Sequence, residues 1–210
     1  MGVVDFYDRH PINEEQILAA LRRQGRLPGR VTPEDLFDLD QDHYGGLPAV
    51  ETLAKRAAIG LGSRVLDVGA GLGGPARFLA WRFGCVATGI DLNAGRIAGA
   101  HRLTRLCGLE RVVRFVRGDA TALPFRQGVF DACVSQEAWL HIEDKAAVVA
   151  GFKKAIAEAD ATLKATPATR FAASPEPWLS VIEHSAEHYG LLVAYYRLNN
   201  LVPPVSRPKK

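Results

Sequence analysis

The chain has only three cysteines in 210 residues: Cys85, Cys107 and Cys133, an odd set with no C-x-x-C pair. Such spacing supports neither a disulfide framework nor a zinc site, and a reducing cytoplasm is the expected setting. No apolar run is long enough to span a bilayer, and the opening "MGVVDFYDRHPINEE" is acidic and interrupted by Pro11, unlike a secretory leader. No membrane partner is expected. An excess of one charge is also missing. The formal net charge is +3, with Lys and Arg spread along the chain, so nucleic acid is not an expected partner. The "RPKK" tail and the group Arg22, Arg23, Arg26 and Arg30 read as solvated faces. There is no H-E-x-x-H and no His/Cys/Cys set, hence no metal is expected. Internal repeats and low-complexity tracts are absent as well.

What remains is the composition of an ordinary soluble globular protein, 48% hydrophobic and 23% charged, long enough for one domain with its own core and an appended segment. The first part is helical. "NEEQILAALRRQG" offers Asn13 as N-cap, Gln16 three residues on, an apolar face of Ile17, Leu18 and Leu21, and Gly25 as its stop. "TPEDLFDLD" suggests a helix with Thr32 as N-cap and Pro33 in its first position. A break at Gly45 and Gly46 precedes the helical "AVETLAKRAAI". From there, short apolar runs alternate with helical patterns. "RVLDVG", "VATGID", "VVRFVRGD" and "FDACVSQ" read as strands; "GPARFLAWRFG", "NAGRIAGAHRLTRLCG" and "EDKAAVVAGFKKAIAEA" read as helices. Alternation of this kind implies right-handed crossovers and an α/β, Rossmann-like doubly wound, mostly parallel sheet whose strands are buried on both faces. Beyond Ala157 the pattern weakens. A short strand at Arg170–Ala173, a helix in "EPWLSVIEHSAEHYG" and a strand or helix in "LLVAYYRL" are the expectations there. The organisation that follows is an N-terminal helical lid over 1–48, a nucleoside-binding core over 49–160 and a divergent remainder over 161–210.

The stretch "RVLDVGAGLGGPARFLA" follows two patterns at once. Gly69, Gly71 and Gly74 fit the dinucleotide fingerprint G-x-G-x-x-G; Gly69, Gly71 and Gly73 fit the G-x-G-x-G loop of proteins that bind S-adenosylmethionine. Charge separates the two. Asp67 stands two residues before Gly69. A carboxylate beside a diphosphate is repulsive, whereas beside a sulfonium and an ammonium it is attractive. Asp91 ends the second strand, where an acidic residue accepts hydrogen bonds from ribose hydroxyls; capping the next helix is its other reading. In "VRGDATALPF", Asp119 follows the third strand, at the expected adenine edge.

These segments, together with "GIDL" and "FDACVSQEAWLHIEDK", resemble the class I S-adenosylmethionine-dependent methyltransferases over roughly Asp42 to Ala155. The likeness is greatest to the small-molecule enzymes of the phosphoethanolamine, glycine/sarcosine, tocopherol and sterol groups. The resemblance implies S-adenosyl-L-methionine as cofactor, with Gly69, Ala70, Gly71 and Gly73 around its methionine part and Asp67 at its ammonium end. Asp91 and Leu92 would face the ribose, and Asp119 and Ala120 the adenine. Gln136 would lie above the methyl group. His141 is the implied general base, Tyr44 in "DQDHYGG" its partner or a lid residue, and Trp139 and Phe125 candidate walls of the acceptor pocket. The plain alternatives are core packing for Tyr44, Trp139 and Phe125, and helix packing for His141. A small-molecule acceptor, most readily an amine nitrogen, is the implied partner, and a homodimer the candidate assembly. "SQEA" replaces the N/D-P-P-Y/F of enzymes that methylate base amino groups. The "RPGG" of the family pattern is also missing, so the end of the fold departs from it. That departure keeps open a non-catalytic methyltransferase-like binding subunit beside carbon or oxygen methylation. A nicotinamide oxidoreductase is opposed by Asp67.

Overall fold

A computed structural model describes residues 2–43 and 45–156 of the protein. The expectations for Tyr44, for the strand at Arg170–Ala173 and for the segments after it lie outside the described residues. In chain order come α1 (Val3–Asp8), α2 (Glu14–Arg23), a 3-10 turn (Glu34–Leu36) and α3 (Gly46–Arg56). Then follow β1 (Arg64–Val68), α4 (Gly74–Phe83), β2 (Val86–Asp91), α5 (Ala94–Leu106), β3 (Val113–Arg117), β4 (Ala132–Val134), a second 3-10 turn (Ala138–His141) and α6 (Lys145–Ala155).

The described strands form one parallel sheet in the order β3-β2-β1-β4. Leu66 of β1 pairs with Thr88 on one side and Cys133 on the other. The chain winds outward through β2 and β3, then returns to the far side of β1. The gap between β1 and β4 is therefore the topological switch point, where the carboxyl ends of the strands leave a crevice.

Both faces of the sheet are covered, as the near-continuous apolar strands require. Successive residues point to opposite sides. Val65, Ala87, Ala132 and Val134 join the cluster with Ala76, Leu79 and Ala100 of α4 and α5. Leu66, Val68, Ile90 and Cys133 join the opposite cluster with Val148 and Phe152 of α6. A third cluster brings Ile17 and Leu21 of α2 against Leu72 and Leu103. α2 is thus packed onto α5.

Two local features differ from the sequence expectation. The Thr32–Pro33 start does not open a regular helix; only the 3-10 turn Glu34–Leu36 forms. The Asp35 carboxylate accepts from both the backbone N–H and the hydroxyl of Thr32, so Thr32 is a donor rather than the cap. The second difference is α1, six residues with no apolar period to announce it. Its place is decided by contacts far along the chain: the Asn93 amide donates to Asp8 Oδ1 at 2.8 Å and approaches the Val4 carbonyl at 3.5 Å.

One buried ion pair ties the lead-in segment to the sheet. Arg77 and Asp40 have no side-chain exposure and pair at 2.8 Å, with Arg77 also donating to Thr104 Oγ1 and approaching the Ala100 carbonyl. A Cβ on Gly74 would lie 2.2 Å from the Asp40 carbonyl oxygen, so only glycine lets the segment approach α4 this closely.

Candidate active site

At the carboxyl end of β1 the chain must turn sharply into α4. Gly69 takes φ +77, and its backbone N–H and that of Ala70 donate to the Ile90 carbonyl at the tip of β2. A Cβ on Gly69 would fall 2.1 Å from that of Ala138, so the loop after β4 closes directly on the glycine turn. Gly73, at φ +82, faces the Phe115 ring and serves as N-cap of α4.

The turn borders a cavity of about 150 Å³ at the switch point. Asp67, Gly69, Ala70, Gly71, Asp91, Leu92, Asp119, Ala120, Gln136 and His141 all line it. Gly73 and Trp139 are not on that wall. Trp139 is 4% exposed and meets Phe152 edge-to-face at 5.7 Å, in the core of the β4–α6 side. Phe125 packs against Phe130 at 5.0 Å in the same layer. Of the two readings the sequence offered for Trp139 and Phe125, these contacts are those of core packing.

The cavity is acidic, and its carboxylates are in different states. Asp67 is 2% exposed, and its Oδ2 has no hydrogen-bond partner among the described residues. Burial, with the nearby Asp91 charge, pushes its pKa up to about 7. Asp91 uses both oxygens on backbone: Oδ2 accepts from Gly71 N–H and Oδ1 from Asn93 N–H, each at 2.8 Å. Asp91 thereby clasps the glycine loop to the tip of β2, while Asn93 itself caps α5 by accepting from Arg96 N–H at 3.0 Å. The Asp119 carboxylate accepts from the backbone and hydroxyl of Thr121, which hold its pKa below the ordinary range. Gln136, buried at the end of β4, leaves Oε1 without a partner among the described residues, and its amide lies 3.3 Å from His43 Nδ1. Among the described residues no group of three or more His, Cys, Asp or Glu is arranged to hold a metal.

The far wall comes from residues that the sequence reading did not single out. Val4 and Tyr7 of α1, Asp42, and Asn93 and Arg96 at the start of α5 border the same space. Tyr7 Oη lies 3.0 Å from His141 Nε2, and the two rings are edge-to-face. Burial and the Asp42 charge raise the Tyr7 pKa above its ordinary value, so the phenol stays protonated near neutrality. Asp42 forms an ion pair with Arg96 and lies 3.5 Å from His10 Nδ1. Tyr7 sits in a short acidic segment with no periodicity, and Arg96 is one of many arginines; neither carried a sequence signal.

A family profile described as a methyltransferase domain matches residues 66–159. The chain is 35% identical over 100 residues to a glycine/sarcosine/dimethylglycine N-methyltransferase of Actinopolyspora halophila, covering 48% of this chain and 18% of that protein. It is 39% identical over 92 residues to a cycloartenol-C-24-methyltransferase of Arabidopsis thaliana, covering 44% of this chain and 27% of that protein. Among solved structures it is similar to a phosphoethanolamine N-methyltransferase 2 of Haemonchus contortus in complex with phosphomonomethylethanolamine and S-adenosylhomocysteine. That match has a TM-score of 0.57 and 25% identity, and covers 73% of this chain and 33% of the other. The aligned part of the chain thus spans between about a fifth and a third of the length of these proteins.

Proposed function

With residues 66–159 a methyltransferase domain of the class I S-adenosylmethionine-dependent type, we propose that the protein transfers the methyl group of S-adenosylmethionine to the nitrogen of a small amine. The observation that carries the reading is the Asp67 carboxylate. Its Oδ2 is a buried acceptor with no hydrogen-bond partner among the described residues, in the wall of a cavity bounded by the glycine turn. Leaving such a group unsatisfied is costly, and a cationic, phosphate-free ligand removes the cost where a diphosphate would add to it.

The residues present fit that cofactor. Asp67 Oδ2 and Gln136 Oε1, without partners among the described residues, are the acceptors that an ammonium group would complete, and Gly69 and Gly71 leave backbone rather than side chain on the wall. Asp91, although clasped to the glycine loop, keeps lone pairs for ribose hydroxyls, and Asp119 with Ala120 stands at the adenine side. When bound, the cofactor supplies a methyl group already activated by a sulfonium. The chain's task is then to align the acceptor and to take its proton.

Tyr7 and His141 suit the second task. An amine acceptor is protonated near neutrality and must lose a proton before its lone pair can attack. Tyr7 Oη accepts that proton as its own passes to His141 Nε2, so the charge leaves the reacting nitrogen without building up on the phenol. Tyr44, outside the described residues, stands in the same lid segment as Asp42 and is proposed as a further residue of the acceptor side.

Calorimetry with S-adenosylmethionine, S-adenosylhomocysteine and NAD, followed by a methyl-transfer assay on a panel of amines, sterols and phenols, tests the reading. Binding of the methionine cofactors and methylation of an amine are expected. Binding of NAD alone would overturn the cofactor assignment. Transfer only to a sterol carbon or a phenol would overturn the amine acceptor. Cofactor binding with no transfer to any acceptor would leave a binding subunit as the function.

A further inference from the structure

Arg96 is 7% exposed in the cavity wall and touches four separate parts of the molecule. Its Nη2 pairs with the Asp42 carboxylate of the lid segment, and Nη1 donates to the Ile12 carbonyl at 3.3 Å. Its guanidinium carbon lies 5.0 Å from the centroid of the Tyr7 ring. The same group lies against the glycine loop: a Cβ on Gly71 would fall 3.2 Å from Nη2 and 3.3 Å from Nε. Nε has no hydrogen-bond partner among the described residues. A buried arginine in this arrangement is a planar, always-charged plate with its orientation set by two hydrogen-bonded groups. One of its neighbours is the loop proposed to hold the cofactor, and another is the ring whose hydroxyl meets His141.

We propose that Arg96 is a positioning residue that sets the Tyr7 phenol against His141, through its contact with the Tyr7 ring, from a guanidinium braced on Asp42 and the glycine loop. The inference rests on the proposed use of Tyr7 and His141 as the pair that serves the acceptor. Tyr7 belongs to a six-residue helix, too short to hold a ring in place by its own hydrogen bonds. Phe6 and His10 also meet the Tyr7 ring, with centroids at 5.1 and 5.6 Å, but Phe6 is itself exposed. The cation beneath the ring adds to these contacts, because the attraction between a guanidinium and an aromatic face depends on their relative placement. Lysine, with a compact charge on a flexible stem, would keep the charge and lose the plate.

The test follows the His141 imidazole by NMR at fixed pH, its resonance assigned by its loss in His141→Asn. Arg96→Lys, checked for folding by circular dichroism and thermal melting, is expected to shift the His141 Cε1–H resonance. In a Tyr7→Ala background the same substitution is expected to leave that resonance where Tyr7→Ala alone puts it. Asp42→Asn, which removes the brace but keeps Arg96, should shift the resonance in the same direction as Arg96→Lys and serves if Arg96→Lys does not fold. An unmoved resonance in the folded single variants, or an equal shift with and without Tyr7, overturns the proposal. The readout needs no methyl transfer, so it decides the role of Arg96 separately from the acceptor assay. Where an acceptor is found, Arg96→Lys should lower kcat about tenfold in the presence of Tyr7 and leave it unchanged in a Tyr7→Phe background.

Discussion

Tyr7 Oη and His141 Nε2 stand 3.0 Å apart although 134 positions separate them in the chain. One belongs to the first helix and the other to the 3-10 turn after the last strand of the described sheet. The pair therefore forms only when the amino-terminal segment is laid across the carboxyl edge of the sheet, beside the glycine turn.

The first prediction concerns this pair. His141→Ala should lower turnover by about a hundredfold or more, the usual scale for a lost general base, while cofactor affinity changes little. Tyr7→Phe should lower kcat in the same sense. Steady-state kinetics with calorimetry on the same samples checks both; a loss confined to cofactor affinity would remove the pair from the chemistry.

Asp67 sets a pH dependence. Its pKa is raised from 3.8 to about 7 in the folded protein. A cation prefers the ionised carboxylate, so affinity for S-adenosylmethionine should fall about tenfold per unit as pH drops below 7 and level off above it. The stability of the ligand-free protein runs the other way. The folded state holds this proton more tightly than the unfolded chain, so the contribution of Asp67 declines as pH rises from 3.8 to about 7. Asp67→Asn should abolish cofactor binding and yet melt no lower than the parent at pH 8. Calorimetry and thermal melts across pH 5–9, a range of about four units around that pKa, measure both signs.

The glycine turn admits no side chain. At Gly69 the backbone is left-handed and a Cβ would meet that of Ala138 at 2.1 Å. Gly69→Ala should cost roughly 1–3 kcal/mol in backbone strain alone, and more as the loop after β4 is pushed away. Denaturant melts should show the loss, and S-adenosylhomocysteine binding should weaken with it.

The Asp40–Arg77 pair is wholly buried. Asp40→Ala strands the Arg77 charge and should destabilise the fold by about 3–5 kcal/mol. The double variant Asp40→Leu with Arg77→Met removes both charges and should regain most of that loss, because the cost lies in the unpaired ion rather than in the missing attraction. Equilibrium unfolding of the single and double variants tests the difference.

Much of the sheet was legible because its signals are local. Alternating apolar runs and helices, the glycines after β1 and the acidic strand tips each depend on residues within a few positions, and a parallel sheet buried on both faces leaves few other ways to read them. The wall residues Asp67, Gly69, Gly71, Asp91, Asp119 and Gln136 share one cavity for the same reason: each lies at or just beyond the carboxyl end of a strand. Trp139 carries two readings in the sequence because an aromatic residue looks alike in a core and in a pocket; the core side it takes depends on Phe152, thirteen residues later. Gly73 follows the loop pattern, yet its place is set by the Phe115 ring across the sheet.

By itself, then, the order of residues determined the alternation of a parallel sheet, the glycine turn and the negative charge at the tip of β1, since strand period, turn geometry and charge sign are properties of short segments. Only the tertiary structure decided that α1 closes the cavity, that Tyr7 meets His141 and that Arg96 lies beneath the Tyr7 ring. Those contacts are long-range, and their energy comes from surfaces that do not exist until the sheet has formed.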